Sequence, residues 1–446
     1  MQFRKKSEMK YVNLWVPHDK IMTLSIFPNP HFILYSPQEG AMLTPSANNP
    51  ELRIAIYRAS SLGDVVLASA CLDLLAQLSI PMQITWIGRG AALELLAKSW
   101  PDLRTVTIDK GAGLPELGRV VSELQSTHLF IDLQNNLRSQ WLARNLKTLH
   151  RVPYFVADKA QLARNRLLFE ARVRGRRRPL PERAQLAATF QFNMMADTLR
   201  KALRFQLPLE LRNGLDNLNC RPRLPIPTGF DPPWRKELRF GSWLAVAPGA
   251  AHATKQAPLE SLIGVLDTVR SRARLSDGMK ASPLGLIFLG DNKDRQFARQ
   301  ILDGLAWDGP VLNLAGKLSL WESAVALSEA RCLLSNDSSL SHIAEAVDTP
   351  AAVLFGPTVE AFGFAPRMPG SRAFSSPIGC RPCSKHGKVS CRFGDKLCFA
   401  SLPLAPVAEH LLRLLAVKPN AAVNTGTAYF KRQGTTPPED RGYLNS

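Results

Sequence analysis

The chain has 446 residues, of which 45% are apolar, and its formal net charge at pH 7 is +19. This length favours two domains over one, and this apolar fraction is ordinary for a globular protein with sizeable cores. The charge favours an anionic partner, with nucleic acid, an acidic membrane surface and phosphorylated small molecules as candidates, while no apolar run reaches the roughly 20 residues that would cross a bilayer.

Residues 1–51 form an N-terminal extension without sustained periodicity, and we expect it to be flexible. Pro, His and Asp interrupt its apolar patches, and no small-residue cleavage site follows a hydrophobic core, so the extension does not read as a signal peptide. We therefore expect a cytoplasmic protein, with Met42 as a candidate for the true start. At the other end, residues 418–446 are polar and are expected to be a disordered tail.

Short apolar strands alternate with amphipathic helices from residue 52 onward. The predicted elements are strand Arg53–Tyr57, helix Asp64–Leu78, strand Gln83–Ile87, helix Ala91–Lys98, strand Thr105–Ile108, helix Glu116–Gln125 and strand His128–Leu133. This alternation predicts a parallel sheet with helices on both faces. Residues 52–220 are therefore the first predicted domain, although the chain becomes basic and less regular from about residue 156.

A second βα series follows a proline-rich stretch, residues 221–240, which is the predicted linker. The elements of this series are a strand at 242–249, a helix at 259–269, a strand at 284–290, a helix at 297–305, a strand and loop at 311–316, a helix at 320–330, strands at 332–334 and 351–355 around a helix at 340–347, and a helix at 407–417. Residues 241–417 are the second predicted domain. The predicted fold class is thus α/β, with two doubly wound halves that bind ligands at the carboxyl ends of their strands.

Two loops of the first half carry polar residues where a strand ends and a helix begins. They contribute Ser60, Ser61, Gly63 and Asp64 in the first loop, and Gln134, Asn135 and Arg138 in the second. Helix capping alone explains Ser and Asp at such places. The functional interpretation places Asp64 in the cleft as a base and the second loop against a hydroxyl-rich ligand.

Two further loops lie at strand ends of the second half. One contains Gly249 and then Thr254-Lys255, and the other contains Asp337, Ser338, Ser339 and, one turn into the helix, His342. A compact ammonium and a helix N-terminus both suit phosphate, so these loops predict a pyrophosphate site. The alternatives are a surface lysine, a simple helix cap and a structural histidine. The chain has no Asp-x-Asp sequence that would hold a diphosphate through a metal.

Four late cysteines, Cys380, Cys383, Cys391 and Cys398, define what we call the cysteine segment, residues 380–398. Their spacing suits a structural zinc site, with free thiols and local disulfides as the alternatives. A basic run, residues 159–179, is either a solvated loop or a surface for an anionic acceptor or lipid. Nucleic acid is the third alternative, but the run lacks the interleaved aromatic residues of a base-stacking platform.

Together these loops resemble glycosyltransferase family nine, the heptosyltransferases of lipopolysaccharide inner-core assembly. The matching stretches are "SSLGDVVL" (60–67), "IDLQNNLRS" (131–139), "APGA…TK" (247–255), "NLAGKLSLWE" (313–322) and "SNDSSLSHIAEAVDTPAAVLFGPT" (335–358), and they occur in the family's order. The chain departs from the family pattern at Ser339, where Gly is usual, and at Gln256-Ala257, where Arg-Trp is usual.

The resemblance implies a GT-B fold, in which two Rossmann-like domains face each other across a cleft. It implies an inverting, metal-independent transfer of heptose from ADP-heptose to an anionic lipopolysaccharide precursor at the inner membrane, with no cofactor for catalysis and no nucleic acid partner. By this likeness Asp64 is the general base, and Thr254, Lys255, Ser338 and Ser339 bind the donor phosphates. Asp337, His342, Gly249 and Gly316 are the implied contacts to the donor sugar and nucleotide. The acceptor side is implied to include Ser60, Ser61, Gly63, Gln134, Asn135 and Arg138. Another nucleotide sugar, or a non-catalytic binding protein that kept the fold, are the competing interpretations.

Overall fold

The structure is a computed structural model that describes residues 51–158, 160–176, 178–185, 190–238, 241–274 and 284–416. The predictions made for residues 1–50 and 418–446 lie outside the described residues. All of the described residues belong to one unit, Leu43–Ser446. The domain boundaries at residues 220 and 240 stay predictions.

The described elements alternate between strands and helices through most of the chain. In order they are β1 (Leu52–Tyr57), α1 (Leu62–Ala68), α2 (Ala70–Ala76), β2 (Met82–Gly88), α3 (Gly90–Ser99), β3 (Arg104–Thr107), α4 (Leu114–Glu123), β4 (Leu129–Asp132), α5 (Leu137–His150), β5 (Tyr154–Val156), α6 (Gln161–Arg174), α7 (Glu182–Gln185), α8 (Gln191–Gln206), α9 (Leu209–Arg212), α10 (Arg235–Leu238), β6 (Ser242–Ala247), α11 (Leu259–Ala273), β7 (Leu284–Phe288), α12 (Asn292–Asp303), β8 (Val311–Asn313), α13 (Leu320–Ser328), β9 (Cys332–Asn336), α14 (Ser339–Ala346), β10 (Ala351–Phe355), β11 (Arg372–Ser375), α15 (Leu397–Ala400) and α16 (Leu404–Ala416). Two 3-10 turns, Ala253–Lys255 and Glu360–Phe362, complete the list.

The strands form two parallel sheets, ordered β3-β2-β1-β4-β5 in the N-terminal half and β11-β10-β9-β6-β7-β8 in the C-terminal half. The central strand β1 has no polar face, since Ile54, Ala55 and Ile56 are all fully buried between helices. This is what a strand covered on both faces requires. The predicted doubly wound α/β class is confirmed.

The strand register places the four polar loops in two adjacent pairs. Tyr57 at the end of β1 is paired with Asp132 at the end of β4, so the first and second loops leave the sheet side by side. In the other sheet Ala247 is paired with Ser335, which does the same for the third and fourth loops. Each sheet therefore gathers its two loops at the carboxyl edge, where doubly wound folds bind ligands.

The two halves pack directly against each other, and one apolar cluster includes buried side chains from both. Helix α1 packs on α14, and α3 packs on α13. The chain between the halves is also fastened, because the amide of Leu224 donates to the carbonyl of Ala346 at 2.8 Å. Within the described residues no helix is both long enough and apolar enough to cross a membrane.

Two local predictions were wrong. The single helix expected at 64–78 is divided into α1 and α2 at Ser69, whose hydroxyl donates to the carbonyl of Val66 at 2.6 Å and accepts from the amide of Arg223. The stretch after residue 156, expected to be less regular than the rest, contains the long helices α6 and α8. Helix α8 has an apolar face that packs on α1 and α2, and this periodicity is hidden by the surrounding charges.

Candidate active site

Asp64 is the third residue of α1 and is held by two neighbours. Its Oδ2 lies 2.8 Å from Nη2 of Arg58 and accepts hydrogen bonds from Ser61, at 2.7 Å from the hydroxyl and 3.1 Å from the amide. Burial alone would raise the pKa of Asp64, but the Arg58 guanidinium and the Ser61 bonds outweigh it and the pKa is lowered. The side chain thus caps the helix and is ionised at neutral pH.

The carboxylate of Asp64 faces a cavity of about 130 Å³, which we call the base cavity. Side chains from both halves of the chain line it: Arg58, Leu133, Asp158, Gln161, Arg164, Gln191, Met195, Phe364, Lys385 and His386, besides Asp64 and Ala157. The sequence reasoning missed Arg58, although its place directly after β1 is a usable signal. It also missed Lys385 and His386, which reach the cavity only through the tertiary fold, and it included Arg164 only as one member of the basic run.

The second loop supports the first. Oε1 of Gln134 accepts from the amides of Ala59 and Ser60 at 2.8 and 3.1 Å, and its Nε2 donates to the hydroxyl of Ser60 at 2.9 Å. Asn135 has a left-handed backbone, with φ of 47°. Arg138 donates to the carbonyl of Ala112 at 3.2 Å. The described bonds of these three residues therefore shape the loop, and their contact with an acceptor stays a prediction.

An open cavity of about 630 Å³ lies beside the first loop, at the ends of β1, β2 and β3. Its lining includes Ser60, Ser61 and the cations Arg89 and Lys110. Arg89 directly follows β2, so a search for polar residues at every strand end would have found it. This cavity gives the N-terminal half room for a larger ligand than the base cavity can hold.

In the C-terminal half, Lys255 and Asp337 form an ion pair with 2.6 Å between Nζ and Oδ2. Asp337 also accepts from the hydroxyl of Thr358 at 2.7 Å, and the hydroxyl of Thr254 donates to the carbonyl of Gly387. The predicted third and fourth loops are thus in contact. Since Lys255 is mostly buried here, its ammonium is positioned before any ligand arrives.

Asn336 fixes these two loops relative to each other. It is fully buried, donates from Nδ2 to the carbonyl of Pro248 at 2.7 Å and accepts at Oδ1 from the amide of Ala257 at 3.0 Å. No ligand could displace so buried a side chain without exposing unpaired backbone groups.

Helix α14 begins at Ser339, with Ser338 as its N-cap residue. The hydroxyl of Ser338 lies 3.1 Å from that of Ser335 and does not cap the helix, while its carbonyl accepts from Ser341. His342 is buried one turn further on, between the two halves. Burial lowers the pKa of His342, and this effect outweighs the opposing influence of Asp337 and Asp64.

Gly249 and Gly316 are explained by packing around α12. A Cβ on Gly249 would lie 1.9 Å from Oδ1 of Asp294, and one on Gly316 would lie 2.2 Å from Oδ1 of Asn292. Gly316 also has a φ of 65°, in the left-handed region that favours glycine. The close approach of the α12 N-terminus therefore requires both residues, and their contact with a donor stays a prediction.

The four cysteines of the cysteine segment are free thiols in the described structure. Among the described residues no three His, Cys, Asp or Glu side chains come together as a group that could hold an ion. Instead the thiol of Cys383 donates to the carbonyl of Cys380 at 3.5 Å. A hydrogen bond from Cys383 and the nearby Arg176 lower the pKa of Cys380 to about 6 despite its partial burial. Bound zinc stays a prediction, as do local disulfides.

The end of the basic run is tied to the cysteine segment. Arg174 donates from Nε to the carbonyl of Gly379 and from Nη2 to that of Arg381, each at 2.9 Å. Arg176 pairs with Asp395 and lies over the ring of Phe393, 3.8 Å from its centroid. Arg174 and Arg176 of the basic run therefore bind the cysteine segment.

Comparison with known proteins agrees with this geometry. Residues 273–392, from the end of α11 into the cysteine segment, match the model of a family described as Glycosyltransferase family 9 (heptosyltransferase). The matched range includes the loop with Asp337 and helix α14. Over this range the chain is similar to glycosyltransferase family 9.

Two curated proteins that the chain resembles are heptosyltransferases. The chain is 34% identical over 90 residues to lipooligosaccharide heptosyltransferase 2 of Haemophilus ducreyi, which is 19% of this chain and 26% of that protein. It is 32% identical over 78 residues to lipopolysaccharide heptosyltransferase 2 of Salmonella typhimurium, which is 16% of this chain and 22% of that protein. The chain thus matches about a quarter of the length of these relatives.

Solved structures extend the likeness of the fold to both halves. A family 9 glycosyl transferase from Veillonella parvula matches with a TM-score of 0.52 at 17% identity, covering 82% of this chain and 97% of that one. ADP-heptose lipopolysaccharide heptosyltransferase II of E. coli matches with a TM-score of 0.52 at 16% identity, covering 82% and 98%. The predicted GT-B fold is confirmed.

The buried His342 gives a test of this site by pH. Since its pKa is lowered in the folded state, the unfolded chain binds more protons near pH 6, and stability should fall as the pH drops below about 6.5. We expect His342→Gln to lack this fall in stability at low pH. The difference in unfolding free energy between the wild type and the variant should therefore become smaller as the pH is lowered from about 7.5 to 5.5. Urea unfolding across this range measures it.

His150→Gln, which changes the last residue of α5, is the control against which the pH dependence of His342→Gln is compared. An equal pH slope in the wild type and in His342→Gln would show that His342 is not held neutral.

Proposed function

We propose that this protein is an inverting, metal-independent glycosyltransferase that moves heptose from ADP-heptose to an inner-core lipopolysaccharide acceptor. The observation that carries the proposal is the position of His342. Its ring contacts Gly63, the residue before Asp64, while Lys255, Asp337 and Asp64 all act on its charge. A candidate base and a candidate phosphate site therefore both lie close to one imidazole, as a direct displacement between two neighbouring substrates requires.

In the proposed mechanism Asp64 accepts the proton of the acceptor hydroxyl as that oxygen attacks the anomeric carbon. Ionisation of Asp64 at neutral pH keeps the base available, and Arg58 and Ser61 fix its orientation. The bond to the diphosphate breaks as the new glycosidic bond forms on the opposite face of the sugar. Inversion at the anomeric carbon follows from this single displacement.

The departing diphosphate gains negative charge in the transition state, and preorganised positive groups stabilise it. Lys255 supplies the ammonium, and the N-terminus of α14 supplies backbone N–H groups that the Ser338 side chain does not cap. In this mechanism Lys255 exchanges its bond to Asp337 for one to a phosphate oxygen. Asp337 can then accept a hydrogen bond from a hydroxyl of the donor sugar, while it still accepts the hydrogen bond from the hydroxyl of Thr358.

The base role predicts a selective loss of turnover. Asp64→Asn keeps the size of the side chain but cannot take up the proton, so kcat should fall by about 10² to 10⁴ while ADP affinity is unchanged. Transfer from ADP-heptose to a lipopolysaccharide precursor is the assay. Asp158→Asn changes an exposed carboxylate of the same cavity and should keep nearly full activity. If Asp64→Asn turns over like the wild type, Asp64 is not the base.

The phosphate role predicts selective nucleotide binding without a metal. Isothermal titration in EDTA should give binding of ADP in preference to UDP and GDP, and Lys255→Met should weaken ADP by about tenfold or more. Lys293→Met, on the exposed side of α12, is the matched control. A preference for UDP or GDP would be consistent with a glycosyltransferase but would contradict ADP-heptose as the donor. If none of the three nucleotides binds, the result would favour a non-catalytic protein.

We also propose that the protein works at the cytoplasmic face of the inner membrane and contacts it through α6. Leu162, Phe169 and Val173 are about 70% exposed and share one side of this helix. Arg166 and Arg172 flank them. An apolar stripe between cations suits the interface of an anionic bilayer.

The membrane contact can be measured by co-sedimentation with vesicles. We expect binding to vesicles that contain anionic lipid, weaker binding to neutral ones, and loss of binding by Phe169→Ser/Val173→Ser. Leu137→Ser/Leu149→Ser removes equally exposed apolar residues from α5 and should bind normally. Equal losses in the two double variants would contradict a specific role for α6.

A further inference from the structure

The base cavity contains a buried cation that the proposed mechanism does not use. Arg164, on α6, is only 8% exposed, and within the described part of the chain its Nε and Nη2 have no hydrogen-bond partner. Its guanidinium lies over the ring of Phe364, 5.2 Å from the centroid. A buried charge without a partner is costly to the fold, so its presence beside Asp64 calls for a ligand.

Asp64 forms no hydrogen bond with Nε or Nη2 of Arg164, and its Oδ2 is bound to Arg58 and Ser61 instead. It does favour the charged form of Arg164, while burial and Arg58 oppose it. The other carboxylate in the cavity, Asp158, is exposed at its edge and accepts from the amide of Ala160 at 2.9 Å. The guanidinium is therefore preorganised but not neutralised.

A second cation enters the cavity from the C-terminal half. Lys385 lines it and donates to the neutral amide oxygen of Gln161 at 2.9 Å. His386 lines it too, but burial lowers its pKa, so it adds a neutral ring at pH 7. Arg164 and Lys385 together give the cavity an excess of positive charge, and its volume exceeds that of a single water.

We propose that Arg164 and Lys385 form an anion subsite that receives a carboxylate or phosphate of the acceptor next to the hydroxyl that Asp64 deprotonates. This inference deepens the proposed function and rests on it. An acceptor with the anion pairs the buried guanidinium, whereas a neutral sugar leaves it unpaired, so the subsite discriminates between acceptors before chemistry begins.

The subsite also gives the cysteine segment a role. The residues that follow Lys385 in this segment reach the donor side, where Gly387 accepts from Thr254 and lies against Lys255. A Cβ on Gly387 would come within 2.5 Å of Cγ of Lys255. The cysteine segment therefore forms a common wall between the two proposed substrate sites.

The test is direct binding of small probes to the full-length protein at low ionic strength. Glucuronate, glucose 6-phosphate and glucose are titrated and followed by ligand-observed NMR. We expect binding of at least one anionic sugar and none of glucose, with Arg164→Met weakening the anion by about tenfold or more and Arg164→Lys restoring part of the affinity. Tighter binding of glucuronate identifies a carboxylate as the natural group, and tighter binding of the phosphate identifies a phosphoryl group.

Arg166→Met, two residues away on the exposed side of α6, is the matched control and should not change these affinities. Should Arg164→Met fail to fold, Lys385→Met should weaken the same anions and leave ADP binding unaltered. Equal binding of glucose, equal loss in Arg166→Met, full retention in Arg164→Met, or loss of ADP instead of the sugar anions would each overturn the proposal. Anion binding without any transfer from ADP-heptose would refute the proposed function and leave the subsite standing.

Discussion

The close approach of α1 and α14 is the contact on which the candidate site depends. Gly63 makes it possible, because a Cβ at this position would lie 2.9 Å from Cδ2 of His342. With a larger residue the two helices would separate, and the carboxylate of Asp64 would move away from the ion pair of Lys255 and Asp337. The site is thus a property of the packing between the halves, and neither half contains it alone.

The sequence predicts the strand-end loops well because parallel sheets impose a simple rule. Asp64 and Lys255 each follow a buried apolar strand, and parallel strands bring their carboxyl ends to one edge. The register of β1 with β4, and of β6 with β9, then places the loops of each pair side by side. Local periodicity was sufficient here since the strands that carry these loops, β1, β4, β6 and β9, are largely buried.

Arg164 could not be found in this way. It lies in a strongly basic stretch, where a solvated side chain is the ordinary expectation. Its guanidinium is covered by the ring of Phe364, and Lys385 is a second cation in the same cavity. Both of these residues come from the other half of the chain. The same reason applies to α8, whose buried face is only evident once α1 and α2 cover it. Contacts distant in sequence leave no local pattern.

The bonds from Arg174 to the carbonyls of Gly379 and Arg381 have a mechanical consequence. They join a helix of the N-terminal half to a segment of the C-terminal half, and the amides of Leu180 and Gln191 add bonds to the carbonyls of Pro377 and Gly363. If the halves rotate to admit or release substrates, this seam must act as the hinge axis or break. Any opening of the two halves would therefore be largest on the side away from α6, where these bonds are absent.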